Sequence, residues 1–426
     1  MSSRTSGLMI NQDIPEDVIC CNIFSRLPFK LVTCLKVVSK DCCRRLTGTE
    51  FATKQATLCP SCPALIHIGP DNKSYRCSLD VLSSTPSIVG VPSSKLDFLG
   101  CHLDNGRFDI LASTNGLLCI RYKPYYDGPL TPPPTILLAN PATQQSQPIP
   151  GAANHLDMTS VVGLVFDPLD DPQEKTHKFM IVKAFPLSTI NDTLVKVNFI
   201  SFSSDTGQWV MSSNMIIANM KEVICQKVVY ASGVLYWDYQ EDLLWFDVER
   251  NEVGSIKMPW KMQGFNVHEE RHSIDVSSNG LLMCTTTNKD GLAIYQLVRI
   301  VNYHWELKHT KGWKSIMEMY CDEFQFCHSM KLRNGCQNKF YERWFVRPLG
   351  LEGGRWVYIG VRQKWKTPDK VLRYDMDTGK VENTGKELGN AFAMKCAFGY
   401  RNSMATLPPI VMSGSQDGNC DGKSGD

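Results

Sequence analysis

Two hydrophobic periods divide the chain. Between residues 14 and 57 apolar residues recur at helical spacing: Ile19, Ile23 and Leu27 fall at i, i+4 and i+8, and Leu31, Val32, Leu35 and Val38 repeat the pattern. Asp13 is placed to cap the first helix. Pro15 followed by Glu16 and Asp17 is a helix-start signal, with acids where the helix dipole favours them. Pro28 stops that helix, and its fixed φ suits the first turn of the next. Ser39 is placed to cap a third helix running to about Leu46. Three short helices in so few residues bury little surface alone, so this module needs a partner or a neighbouring domain.

Beyond residue 58 the period changes. Tyr75-Arg76-Cys77-Ser78-Leu79-Asp80-Val81 alternates as a half-buried strand does, and strand-like runs then alternate with turn residues to about residue 405. Two tokens recur. One is a turn feeding an apolar strand: Asn115-Gly116-Leu117-Leu118-Cys119, Ser232-Gly233-Val234-Leu235-Tyr236-Trp237 and Asn279-Gly280-Leu281-Leu282-Met283-Cys284. The other is a strand running into a polar turn, as at Asn140-Pro141-Ala142-Thr143, Ser204-Asp205-Thr206-Gly207, Asp247-Val248-Glu249 and Asp375-Met376-Asp377-Thr378-Gly379. The second and third strand-entry tokens are separated by about the 40–50 residues of one propeller blade; the first two are not a clean multiple apart. The predicted fold class is α+β multidomain: a short three-helix N-terminal module, then a mostly antiparallel β domain, a β-propeller of six to eight blades. Generic hairpins of a sandwich or barrel are the competing reading. The expected divisions are a disordered 1–12, a helical 13–57, a β domain over 58–412 and a disordered Gly/Ser/Asp-rich 413–426. The Pro-rich stretch 123–134 is expected to be an exposed excursion.

Composition narrows the function. The chain has 426 residues, 43% hydrophobic and 21% charged, enough apolar material for a sizeable core. Its formal net charge of +2 offers no electrostatic footprint for nucleic acid. No apolar run approaches the ~18 residues of a membrane span. The first residues lack the apolar stretch of a secretory signal, so the expected location is the cytoplasm or nucleus. The 17 cysteines, among them Cys20, Cys21, Cys34, Cys119, Cys284 and Cys396, then read as free, mostly buried thiols.

The helical module resembles the F-box motif. Ile14-Pro15-Glu16-Asp17-Val18, Ile23-Phe24-Ser25-Arg26-Leu27-Pro28-Phe29-Lys30 and Leu35-Lys36-Val37-Val38-Ser39-Lys40 occur together in order. The β region is similar to the F-box-associated, kelch-like domain of plant F-box proteins at Asn115-Gly116-Leu117-Leu118-Cys119, Asn140-Pro141-Ala142-Thr143, Gly233-Val234-Leu235-Tyr236-Trp237 and Trp245-Phe246-Asp247-Val248-Glu249. The resemblance implies a non-catalytic substrate receptor of a ubiquitin ligase. Its F-box would bind a Skp-family adaptor, and through it a cullin–RING core, while the β domain holds a target protein. On this reading Ile14, Pro15, Val18, Ile23, Leu27, Pro28, Leu31, Leu35, Val38, Ser39 and Lys40 are the adaptor-binding residues. The same apolar residues could instead form an internal helical core against the β domain. The motif is met with two departures. One extra residue lies between Pro15 and Ile23, at Cys20-Cys21, and an inserted residue in an α-helix rotates everything beyond it by about 100°. Cys42 stands where the family usually carries a Trp.

Other signals carry less. Cys59-Pro60-Ser61-Cys62 has zinc-knuckle spacing, but no second close pair completes four ligands. Asp167, Asp170, Asp171 and Glu174 lack the calcium-loop pattern. No phosphate-binding glycine loop and no local cysteine–histidine signature are present, so no catalytic residue, metal or cofactor is expected. The nine tryptophans all lie in the β region and are expected mostly in blade cores. Trp260 and Trp365, flanked by lysines, are the candidates for target contact. An adaptor-binding scaffold without ubiquitylation, and a propeller lectin or enzyme, are the alternatives.

Overall fold

The computed structural model of the chain describes residues 18–58, 64–70, 77–84, 91–99, 106–124, 135–152, 162–167, 178–190, 194–219, 227–239, 241–262, 271–288, 290–299, 303–319, 345–362, 369–388 and 397–411. Ile14, Pro15, the Cys59–Cys62 pair, most of the acidic cluster, Trp365 and both expected disordered ends lie outside them.

At the N-terminal end, Ile19–Ile23 forms a turn of π-helix and Phe24–Arg26 a turn of 3-10 helix. Leu27 is extended, and Pro28, with φ −56°, caps α1 (Phe29–Leu35). Its carbonyl accepts from the Leu31 and Val32 amides, as its helix-starting geometry predicts. Ser39 caps α2 (Lys40–Thr47), its Oγ accepting from the Cys42 amide at 3.0 Å. Gly48 separates α2 from α3 (Thr49–Leu58). That boundary is missing from the sequence reading, whose three helices end near Leu46.

The β region is a ring of six sheets. The first blade holds β3 (Gly106–Thr114), β4 (Leu117–Pro124), β5 (Thr135–Asn140) and β6 (Gln145–Pro148). The second holds β7 (Val162–Phe166), β8 (Phe179–Thr189), β9 (Leu194–Ser203) and β10 (Gln208–Asn219). The third holds β11 (Val228–Ala231), β12 (Val234–Tyr239), β13 (Asp242–Asp247) and β14 (Glu252–Lys257). The fourth holds β15 (Arg271–Val276), β16 (Leu282–Thr287), β17 (Gly291–Arg299) and β18 (Tyr303–Gly312). The fifth holds β19 (Phe345–Glu352), β20 (Trp356–Arg362), β21 (Asp369–Asp375) and β22 (Val381–Leu388). The sixth closes the ring. Its inner strand β23 (Phe398–Tyr400) pairs with β1 (Ala64–Pro70), Ile66 opposite Phe398, and β1 pairs with β2 (Cys77–Leu82). The propeller thus has six blades, and its two chain ends are joined in one sheet.

Each junction between neighbouring blades has its own apolar core, so each sheet buries both faces. This is why β12 and β16 are buried at every position instead of alternating. It also explains the tokens. Asn115 (φ 44°) with Gly116 (φ 91°), and Ser232 (φ 49°) with Gly233 (φ 82°), are two-residue hairpin turns that need positive φ. Their side chains then bridge blades: Asn115 Nδ2 donates to the Phe166 carbonyl at 2.8 Å and Ser232 Oγ to the Gly280 carbonyl at 2.8 Å. The second token forms the turns between third and fourth strands. In the fifth blade, Asp375 there accepts from Arg355 Nε at 3.0 Å and Nη2 at 2.7 Å, from Thr378 Oγ1 and from the Asp377 amide. Chiefly the Arg355 bonds hold its carboxyl down to about 2, against the ordinary 3.8. A depressed carboxylate contributes stability above its unfolded pKa, and that contribution is lost as pH falls through the folded value. Asp375→Asn should therefore lose less stability than the parent between pH 3.8 and about 2, as read from urea midpoints at each pH.

All turns between first and second strands, and between third and fourth, lie at one end of the ring. Residues 401–411, neither helix nor strand, run across this end. Asn140 Nδ2 donates to the carbonyls of Ser403 (3.0 Å) and Ala405 (2.8 Å), while its Oδ1 accepts from the Ala142 amide at 2.9 Å. Gln147 Nε2 donates to the Pro408 carbonyl, and the Val411 amide to the Ser204 carbonyl. A Cβ at Gly116 would lie 2.4 Å from Ser403 Cβ, and one at Gly207 1.8 Å from the Val411 carbonyl oxygen. The helical module packs onto the same end: Phe29, Val32, Leu46, Phe51 and Ala52 enclose Ala142 and Met404. Asn140→Ala orphans the carbonyls of Ser403 and Ala405 and the amides of Ala142 and Thr143. It should cost about 3 kcal/mol or more and loosen the helical seat with it, seen as faster amide exchange at residues 403–405.

One sequence expectation is corrected and one is narrowed. Trp260 is not in polar, loop-like surroundings. A short helix, α4 (Pro259–Met262), turns it into the core between the third and fourth blades, where it is 1% exposed and stacks on His272 at 4.2 Å. It therefore offers a target no surface. Cys34 and Cys43 are exposed, exceptions to the expectation of mostly buried thiols, while Cys20, Cys119 and Cys284 are buried. Burial pushes the Cys119 thiol up to about 12.

Candidate partner-binding surfaces

The helical module divides its apolar residues between two directions. Leu27 and Leu35 are half-buried and pack, with Phe24 and Cys42, on the core around Val32 and Leu46. Cys42, in the usual Trp position, thus still faces inward, with a smaller side chain. Val18, Ile23, Leu31, Val37 and Val38 point out, with Val37 86%, Val38 68% and Leu31 52% exposed. Pro28 is half-buried, and Ser39 and Lys40 are exposed at the start of α2, where the Ser39 hydroxyl is engaged as a cap. The eleven sequence candidates are therefore not one surface. Of the nine described, Leu27 and Leu35 support the module from inside, while Val18, Ile23, Leu31 and Val38 are available to a partner. Val37 is missing from the sequence candidates, although it lies inside the Leu35–Lys40 run that carries the motif. Its outward direction depends on the turn between α1 and α2.

The extra residue at Cys20-Cys21 is absorbed locally. The Phe24 amide reaches the carbonyls of both Cys20 and Ile19, an i→i−5 reach that holds one more residue than an α-turn. The rotation of about 100° expected of an inserted residue in a regular α-helix is thereby taken up within one turn. Burial of Lys36, between Leu35 and Val37, pushes its ammonium below the ordinary value.

In the β domain, a polar cluster is drawn from four inner strands or their starts. Lys227 and Asp275, each 2% exposed, form an ion pair. Asp275 Oδ2 also accepts from Ser273 Oγ at 3.1 Å and from the Leu351 amide at 3.2 Å, and the Lys227 ammonium lies 5.7 Å from the Phe398 ring. Burial pushes the Asp275 carboxyl up, and Lys227 opposes this. Fully paired and enclosed, this cluster ties blades together. Among the described residues no group of three or more metal-ligating side chains comes together.

A propeller carrying a small helical module with a bare apolar ridge defines the class of F-box β-propeller proteins. Residues 87–330, more than half of the chain, match the family model "F-box protein At3g26010-like, beta-propeller". The chain belongs to that family. It is also similar to the F-box protein DOR of Arabidopsis thaliana, 23% identical over 255 residues. That match covers 58% of this chain and 62% of the relative. Solved structures with likeness include the periplasmic gluconolactonase PpgL of Pseudomonas aeruginosa (TM-score 0.35, 10% identity, 77% of this chain and 97% of that one). Another is the GH93 alpha-L-arabinofuranosidase of Fusarium graminearum (TM-score 0.33, 9% identity, 67% of this chain and 84% of that one). Likeness at this level carries no argument about activity.

Proposed function

We propose that this protein is the substrate-recognition subunit of a Skp–cullin–F-box ubiquitin ligase. The reading rests on one observation above the others: Leu31, Val37 and Val38 stand bare on an F-box module whose core residues Phe29, Val32, Leu46, Phe51 and Ala52 are already buried against the propeller. Contiguous exposed apolar groups mark an interaction surface, and helical ones suit a partner's groove. Val18, Ile23, Leu31, Val37 and Val38 would enter the Skp-family adaptor. Lys40 extends the same surface, and Ile14 and Pro15, outside the described residues, are assigned to the adaptor on the motif alone. Leu27, Pro28, Leu35 and Ser39 hold its shape. The propeller carries the target, and the protein itself performs no chemistry. It raises the effective concentration of the target's lysines near the ubiquitin thioester held by the cullin–RING core. The free, buried thiol at Cys119 suits a reducing compartment, the cytoplasm or nucleus.

A reconstituted ubiquitylation reaction tests this. With adaptor, cullin–RING core and a target captured by the propeller, the intact chain should support ubiquitin transfer. A chain lacking residues 14–46, with its propeller folded, should not. Adaptor binding without transfer would instead make the protein a scaffold.

A further inference from the structure

The second blade differs from its neighbours. Strands β8, β9 and β10 are 11, 10 and 12 residues long, against 6 and 4 for β5 and β6 in the adjacent first blade. The excess projects at the end opposite the F-box, because β8 and β10 run away from the tight turns. Register places Phe185, Asn198 and Met215 in one row, and Ser188, Lys196 and Ile217 in another. Both rows face the side of the first blade, as the row Ile181–Phe202–Trp209 does lower down in the core between these blades. Met215 is 50% and Ile217 55% exposed, with Leu187 and Ile190 exposed beside them.

The outer strands of the third, fourth and fifth blades guard their edges with charge: β14 exposes Glu252 and Lys257, β18 Lys308, β22 Lys386 and Glu387, while β6 of the first blade has no charge but is only four residues long. Charged edge residues block strand addition. Strand β10 contains no charged residue along its whole length. Its bulge between Met211 and Met215 is tied to the third blade by Ser212 and Asn214 bonding to Asn251. Beyond the bulge, among the described residues, no strand pairs with its outer edge. Strands β8, β9 and β10 together contain two charged residues, Lys183 and Lys196, and no carboxylate. Lys183 is buried over the Phe185 ring, leaving Lys196, half-buried, as the accessible cation of these three strands among the described residues.

We propose that the edge of β10 from Met215 to Asn219 takes an extended segment of the target as a fifth strand, with apolar and acidic side chains two positions apart on the face turned to the first blade. The unpaired backbone requires an extended peptide. Met215 and Ile217 call for apolar side chains, and Lys196, opposite Ile217 on the same face, calls for an acidic one. This rests on the receptor reading above, which adaptor binding tests separately.

The test uses the full chain bound to its adaptor and two labelled octapeptides that carry both side-chain types on one face, Val-Ser-Glu-Ser-Val-Ser-Glu-Ser (the Glu-Val peptide) and Val-Ser-Lys-Ser-Val-Ser-Lys-Ser (the Lys-Val peptide). The Glu-Val peptide should bind at least about tenfold more tightly and slow amide exchange at residues 215–219. Lys196→Glu should reverse that preference, and Ile217→Asp should abolish binding of both, each with adaptor affinity and melting temperature unchanged. Three results would overturn the proposal: no binding of the Glu-Val peptide, equal binding of the two peptides, or protection elsewhere than 215–219. Dimerisation of the parent that Ile217→Asp removes would show the edge pairing with a second copy, and would overturn it too.

Discussion

Lys227→Met should destabilise the propeller by about 3–5 kcal/mol, the usual cost of leaving one member of a buried ion pair uncompensated. Asp275 would then hold a carboxylate at 2% exposure with only Ser273 and the Leu351 amide as donors. The pair joins the start of the third blade's inner strand to the fourth blade's, and Asp275 reaches on to the fifth. The loss should therefore be global, seen as a lower guanidinium midpoint for the whole β domain. Lys227→Met with Asp275→Leu should lose less than Lys227→Met alone, because no uncompensated charge remains. It should not return to the parent value, since the Leu351 amide is then orphaned. Equal loss in the single and double variants would show that the pair is not coupled.

The second large effect is at the F-box ridge. Replacing Leu31, Val37 and Val38 together by Asp should leave folding near that of the parent, because all three side chains are exposed. Adaptor binding should fall by more than about a hundredfold. Each apolar group buried in a partner contributes about 1.5–3 kcal/mol, and each introduced carboxylate would have to be desolvated. Leu46→Ala is the contrast. That residue is fully buried in the helical core, so its cost, about 2–5 kcal/mol, should appear in stability before it appears in affinity. A binding assay combined with a thermal melt separates the two.

Part of this architecture is legible in the amino-acid sequence and part is not. Pro28 and Ser39 are readable because their effects are local: a fixed φ starts α1, and a hydroxyl caps α2. The Asn-Gly and Asp-Thr-Gly tokens are readable as turns for the same reason. What the tokens do beyond turning is not, because it depends on which blade stands next. Asn140 is the clearest case. Its landmark position is visible in Asn140-Pro141-Ala142-Thr143, but its task is to hold Ser403 and Ala405, more than 250 residues away. The segment 401–411 carries no period at all and is fastened by such long-range bonds together with the packing of Met404, Ala405 and Ile410. Blade number is legible only as six to eight, because unequal strand lengths, as in the second blade, obscure the repeat. Trp260 misleads because flanking lysines suggest a loop, while a single helical turn buries the ring between them. The extra residue at Cys20-Cys21 is countable in sequence, but its absorption in a π-turn is a property of the folded helix.

The central claim is that the helical ridge is an adaptor-binding surface. The most direct measurement is a calorimetric titration of the intact, folded chain with a purified Skp-family adaptor. Saturable one-to-one binding, abolished by the Leu31, Val37 and Val38 aspartate substitutions and retained by Ile217→Asp, is the predicted result. No binding by a chain whose propeller melts as a folded unit would contradict it.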